Sequence, residues 1–490
     1  MEGSERSMQK ILDASIIYRF LSAVYSWFGV QWQKSFFIRR FLSPGLSERV
    51  SENSIFTRVW LSFHQFSCFL FEKLRLNRLL QGSIFTTPYI WIFATFVLAP
   101  ILPTMAILGL ALVCIVSLLL SFACNRDQRL VYSPPNKYVL LYAFVYIIAT
   151  FTSVTVSGSL LGGALTTLFV LFTIVTQNSV STRRQLDALV YAFVMSGTVV
   201  SAYGIYQYLF NALGATLWID PKMFAEIGAR VYSTFDNPNV LAEYLLLVIP
   251  FAGASILIVK KVLARFFFIG CLGVMLACMV LTFSRGGWLG LVFAAAVFFI
   301  MLDRRFILAG IAGLILLYFA LPDVVLNRFF SIGNTVDSST AYRVSIYTAT
   351  IVMLRDFWFT GIGPGTAAFN RIYPLYSFNA AVAQHSHNLY LQIMCDAGIV
   401  GIIVFLAIVF SYFRNLFSSF SRESEKSSRF LQIAAISSVT GFLVQGFTDH
   451  SFYNYRVTLV FWAVLGLGAL ATRRGLLKGA EPDDKDTEYR

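Results

Sequence analysis

Twelve runs of mainly apolar residues, each bounded by charges or turn formers, leave this chain few ways to fold outside a membrane. A helix rises about 1.5 Å per residue, so roughly 20 apolar residues cross the hydrocarbon layer of a bilayer. The runs fall at 86–101, 104–123, 138–154, 160–178, 186–208, 239–259, 265–283, 287–302, 305–321, 388–413, 429–448 and 456–472. Only 13% of the 490 residues are charged and 57% are hydrophobic, too little polarity to cover a water-exposed surface of this size. The expected fold class is all-α: a polytopic membrane bundle of about twelve transmembrane helices with a large outer loop that itself contains helices.

Pro100 and Pro103 interrupt one long apolar stretch, which is either a tight turn between two short helices or a kink in one. Charge favours the turn. With twelve spans and a cytoplasmic N-terminus, all but eight of the 38 Lys and Arg fall inside; Lys222, Arg230, Arg285, Arg328, Arg343, Arg355, Arg371 and Arg456 fall outside. Removing one span inverts every later loop and breaks that bias. The expected orientation therefore puts both termini in the cytoplasm. The net charge of +13 then reflects orientation and anionic membrane lipid, with no nucleic acid required. Six scattered cysteines read as small core residues, and residues 1–20 lack the apolar core of a cleavable signal peptide.

Three regions follow. Residues 1–85 interleave aromatic and basic residues without reaching spanning length, which suits amphipathic helices lying on the inner leaflet. Residues 86–472 form the transmembrane domain, and 473–490 a cytoplasmic tail with an acidic end expected to be disordered. Two outer segments are long: 209–238, and 322–387 with about 66 residues, far beyond an ordinary connection. Function is expected there. The larger loop carries a helical stretch, Ser339 to Phe359, then Gly361-Ile362-Gly363-Pro364-Gly365, which breaks it.

Two of the four histidines, His385 and His387, stand where that loop re-enters the membrane, and His450 lies on the same side. A lone histidine is usually a satisfied polar group, but a pair at a water–membrane boundary after a long loop points to function. Zinc ligation by His385, His387, Asp449 and His450 is the first alternative. Against it, H-x-H on a helix separates its rings by about 200°, and outer cysteines and an H-E-x-x-H motif are absent. Arg230, Arg285 and Arg343 come from three separate outer segments. Arg285 follows Phe283-Ser284 and precedes Gly286-Gly287, between two apolar runs where a charge is costly unless paired or useful. Guanidinium groups grip phosphate oxygens in pairs, so converging arginines at the outer boundary suit a lipid-linked diphosphate.

His387-Asn388, nine residues and then Gly398-Ile399-Val400-Gly401 resembles the H-N-x9-G-x-x-G signature of the O-antigen ligases. Ser284-Arg285-Gly286 with Arg343 resembles their paired arginines, and Arg230 to Asn239 also looks like this superfamily. The likeness runs from about residue 84 to 472 in helix count, loop placement and orientation; residues 1–83 lie outside it. It implies a metal-independent, cofactor-free GT-C-type glycosyltransferase. Such an enzyme moves a glycan from an undecaprenyl-diphosphate carrier to a glycan, lipid or protein acceptor, as ligase or as polymerase. Arg285 and Arg343 would stabilise the leaving diphosphate, and His387 would act as general base in an inverting transfer. Arg230, Tyr232, Asn237 and Asn239 would hold the donor, with His385 and Asn388 alongside as further substrate-binding residues. A bicarbonate-type solute transporter is the rival reading. Transporters place ionisable groups near the midplane, whereas here only Asp396 and Glu243 interrupt the spans away from their ends.

Overall fold

The computed structural model describes residues 55–473 except 211, 213–228, much of 304–321, 332–337 and 378–382, together with Ala23 and Trp27. Two compact units divide the chain, residues 1–66 and 67–490. The described part of the first is the beginning of helix α1 (Ile55–Lys73), where the Trp60 and His64 rings stack at 6.5 Å. Most of the expected inner-leaflet region and the acidic tail lie outside the described residues.

In the second unit the described elements are helices, with no strand among them. After α2 (Leu76–Leu80) come α3 (Pro88–Leu98), α4 (Thr104–Cys124), α5 (Asn136–Phe151), α6 (Val156–Val170) and α7 (Phe172–Ser179). The middle of the chain forms α8 (Arg183–Leu209), α9 (Pro238–Ile258), α10 (Val262–Leu281) and α11 (Arg285–Leu302). The large loop carries α12 (Asp323–Phe330), α13 (Ser338–Phe357) and α14 (Thr366–Ile372), and the bundle ends with α15 (Leu389–Phe420), α16 (Lys426–Gln445) and α17 (Tyr455–Ala471). Among the described residues eight helices, counting Val156–Ser179 as one, are long and apolar enough to cross a membrane; α3, α5 and α17 are shorter apolar helices. These eleven coincide with expected spans, and the twelfth, 305–321, lies mostly outside the described residues.

The Pro100–Pro103 stretch is a turn. Pro88 opens α3, and Pro103, which lacks an amide donor and restricts the residue before it, separates α3 from α4. The two helices pack together, with Thr95 Oγ1 3.3 Å from Cys114 Sγ.

Hydrogen bonds between loops define two ends of the bundle. At one, the Thr234 hydroxyl donates to the Pro100 carbonyl at 2.6 Å, Val231 N to Leu281 O at 3.0 Å, Val154 N to Ile362 O at 3.1 Å and Leu389 N to Gly446 O at 2.8 Å. At the other, Val131 N donates to Asn178 Oδ1 at 2.7 Å and Arg183 to Ser428 Oγ at 2.9 Å. Helix directions alternate between these ends. Leu302 closes α11 at the second end, while Ser331, just after α12, accepts from Arg285 at the first.

Helix α9 sits at the centre, with 78% of its apolar window buried, whereas only 28% of α10 is, leaving Leu263, Phe266 and Phe267 exposed. That is how lipid-facing side chains are disposed, since the bilayer core solvates apolar groups as well as a protein interior does.

One irregularity ties the large loop to the bundle. Helix α15 is broken at Ala397–Gly398, where Gly398 has φ 63° and ψ −163°. The break frees the Cys395 carbonyl to accept from Ile362 N at 2.6 Å, and Ile399 N donates to Trp358 O at 2.8 Å. A Cβ on Gly398 would lie 1.9 Å from Phe359 O, so only glycine permits the loop to dock there. The Gly361–Gly365 turn thus plugs a helix break that the first glycine of the H-N-x9-G-x-x-G run provides.

Candidate functional site

Three helices enter the bundle at this end in the same way. Asn237, Ser284 and Asn388 are extended N-caps whose side chains accept backbone N–H groups of α9, α11 and α15. Each follows a residue with positive φ: Asp236 at 59°, Phe283 at 46° and His387 at 51°. Such conformations are uncommon outside glycine and turn the chain sharply before the helix starts. The repeated geometry sets His387 at the lip of α15 and Arg285 on the first residue of α11, with helix N-termini and their positive dipole ends beside them.

The His385–His387 segment is not helical, which corrects the expectation that its rings point apart: the ring centroids lie 4.2 Å from one another. His387 N donates to His385 Nδ1 at 3.3 Å, and the His387 carbonyl accepts from the Tyr347 hydroxyl of α13 at 2.8 Å. Tyr342 meets the His387 ring edge-on at 5.9 Å. His385 stacks on Tyr453 at 4.9 Å and lies 5.3 Å from the ring of His450.

Asp449, in the α16–α17 connection, joins the histidines to the arginines. Its Oδ1 is 3.1 Å from His387 Nδ1 and accepts from His450 N at 2.9 Å. Oδ2 accepts from Asn239 Nδ2 at 3.0 Å and faces Arg343 Nη2 at 3.4 Å. Burial alone would raise this carboxyl, but the hydrogen bond from His387 and the charge of Arg343 outweigh it and hold Asp449 well below the ordinary carboxylate range. An ionised carboxylate only accepts, so Nδ1 of His387 donates to Asp449 and Nε2 is the ring nitrogen left to exchange a proton with a substrate. Burial, followed by the neighbouring charge of His387, lowers His385 from 6.5 to about 4; burial and His385 likewise push His450 well below its usual range.

Asn239 carries the network on to Arg230, whose Nη2 donates to Asn239 Oδ1 at 2.8 Å while Nε donates to Thr282 O at 2.8 Å. Arg285 donates to the carbonyl and the hydroxyl of Ser331, both at 3.1 Å. Arg230, Arg285, Arg328 and Arg343 together line an open pocket with about 270 Å³ of empty space, floored by Ser284 and Gly286 at the start of α11. Burial first, then the fields of Arg328, Arg343 and Arg285, lower the Arg230 guanidinium to about 9. A pocket lined by four guanidinium groups suits an anionic occupant.

Arg230, Arg285, Arg343, Asn239, His385 and His387 are thus brought together. Asn237 and Asn388 stand beside them with side chains committed to capping; Asn388 Nδ2 also donates to Phe447 O at 2.9 Å. Tyr232 lies in the turn before α9, half-buried, and lines neither this pocket nor the neighbouring cavity described below. Sequence reasoning treated Asp449 only as a metal ligand and gave Arg328 no role. Asp449 was findable as an acid beside His450 on the same outer side, and Arg328 as a fourth outer arginine. His385, His387 and Asp449 also offer ligand atoms within 4.8 Å of one another.

Fold and site define a class: an all-helical membrane protein that presents an arginine-lined pocket and a histidine–carboxylate pair at one end of its bundle. Residues 270–406 match the family model described as O-Antigen ligase. That segment runs from α10 into α15 and contains Arg285, Arg343, His387 and the Gly398 break. Over that segment the chain is similar to the O-antigen ligase family. No curated protein matches it.

Proposed function

We propose that the protein transfers a glycan from an undecaprenyl-diphosphate carrier to an acceptor hydroxyl on the outer face of a bacterial inner membrane, with both termini cytoplasmic. The observation that carries this reading is the His387–Asp449 pair bonded directly into the arginine pocket. The acceptor oxygen attacks the anomeric carbon of the donor, and its proton passes to His387 Nε2. The bond from that carbon to the diphosphate oxygen breaks, its electron pair leaves with undecaprenyl diphosphate, and one displacement inverts the anomeric configuration. Asp449 keeps the ring oriented and stabilises the imidazolium that forms. Arg285, Arg343, Arg230 and Arg328 neutralise the charge that grows on the leaving diphosphate. The scarcity of Lys and Arg in the connections at this end of the bundle supports the orientation.

No metal is needed for these steps. Purified protein in nanodiscs, given lipid-linked glycan donor and candidate acceptors, tests the reading. His387→Ala should abolish transfer while membrane insertion and donor binding persist, and EDTA should leave wild-type transfer unchanged. Full transfer by His387→Ala would sink the mechanism, and loss with EDTA restored by zinc would favour the metal cluster. The product separates the two subclasses: lengthened lipid-linked chains mean polymerase, and a new lipid or protein conjugate means ligase.

A further inference from the structure

A second cavity, with about 580 Å³ of empty space, adjoins the histidines and shares no lining residue with the arginine pocket. None of its lining residues is Lys or Arg. Tyr453, Tyr455 and Tyr146 supply aromatic faces, Gln384 and Gln392 planar amides, and Asp396 a carboxylate. Asp396 stands seven residues into α15, which sets the cavity floor about 10 Å below the helix start.

A carboxylate at that depth in a membrane bundle is costly, and such groups usually mark a substrate path. Asp396 is held by the Tyr146 hydroxyl at 3.2 Å and by Gln392 Nε2 at 2.9 Å. Gln392 Oε1 in turn accepts from Ser386 N at 2.8 Å, so the floor of the cavity is tied to the residue between the two histidines. The His387–Asp449 pair touches both chambers: Asp449 bonds Asn239 and Arg343 of the arginine pocket, while the His387 ring lies against His385, a wall of the second cavity.

Resting on the transferase reading above, we propose that this second cavity is the acceptor subsite and that it receives a pyranose ring. A pyranose has apolar C–H faces and a rim of hydroxyls that both donate and accept. Tyrosine rings take the faces, and Asp396 with the glutamine amides takes the rim. The absence of cations suits a neutral sugar better than the diphosphate, which the other chamber matches. Asp396 and Gln392 bind the acceptor and position it, and the sugar hydroxyl nearest His385 is the one delivered to His387.

Saturation-transfer NMR on the full chain in nanodiscs, with methyl glycosides of glucose, galactose, N-acetylglucosamine and rhamnose as probes, tests this directly. At least one glycoside should give a signal that persists when undecaprenyl diphosphate is added and in Arg285→Ala. The signal should vanish in Asp396→Asn and in Thr366→Trp, the second of which fills the cavity from an exposed position and leaves the buried network intact. In transfer assays both variants should raise the acceptor KM at least tenfold with the donor KM unchanged. No signal from any glycoside, or a signal displaced by undecaprenyl diphosphate or kept in Thr366→Trp, overturns the proposal. These outcomes are separable from failure of the transferase reading, which His387→Ala decides on its own.

Discussion

The two ends of the bundle handle arginine in opposite ways. At the end defined by α7–α8 and α15–α16, Arg183 is enclosed by partners: Asp187 Oδ1 at 2.9 Å, Glu425 Oε2 at 3.4 Å and Ser428 Oγ at 2.9 Å. Two carboxylates balance one guanidinium, and the arrangement reads as a clasp between α8 and α16. At the opposite end four arginines line an open pocket, and one of them, Arg343, pairs with Asp449, which His387 also contacts. The first end closes its electrostatics within the protein. On the proposed reading the second also takes an anion from outside, and a cluster of four arginines lining a pocket is what separates it from a structural ion pair.

The contrast is sharpest for the arginines themselves. Arg285→Ala and Arg343→Ala should each lower transfer by roughly 10²- to 10³-fold, the effect of removing one preorganised charge from a developing oxyanion. Arg183→Ala should leave kcat within a fewfold of wild type and lower the melting temperature instead. A transfer defect in Arg183→Ala equal to that of Arg285→Ala would erase the distinction between the ends.

Asp449→Asn comes next. The amide keeps the shape but can present a donor to Nδ1 and so favour the wrong tautomer, and a loss of about 10²- to 10⁴-fold in kcat is expected with little change in donor KM. Undiminished kcat would remove Asp449 from the mechanism and leave His387 to act alone.

The smallest effect is on stability. The folded protein keeps His385 neutral down to about pH 4, whereas the unfolded chain takes up that proton near the ordinary 6.5. Folding stability is therefore fully present above about 6.5 and should decline as pH falls toward 4, by on the order of 3 kcal/mol for this group. His450 acts in the same direction. Thermal unfolding in detergent between pH 7.5 and 4.5 reads this out, and His385→Gln should flatten part of the slope. A profile identical to wild type would show that burial of His385 is not felt by the fold.

Much of this was legible in the sequence because bilayer thickness turns hydropathy into helix length. The turn at Pro100–Pro103 followed from counting basic residues, and the convergence of Arg230, Arg285 and Arg343 from their shared side. What the sequence concealed were relations across distance or local geometry. The partner of His387 lies 62 residues later at Asp449, and no periodicity links them. The two imidazoles meet because the chain turns through positive φ at His387, which propensity does not foretell for histidine. The role of Gly398 depends on a loop carbonyl, Phe359 O, approaching from a separate segment. The resemblance to O-antigen ligases pointed at Asn388 as substrate-binding, while the structure gives its side chain to capping α15.

The central claim is that the outer arginines form a diphosphate site, and direct binding of undecaprenyl diphosphate to the purified protein in nanodiscs tests it most directly. The account predicts binding that weakens with added salt, drops at least tenfold in Arg285→Ala and in Arg343→Ala, and is unchanged in Arg183→Ala. Equal binding by wild type and both outer variants would contradict it.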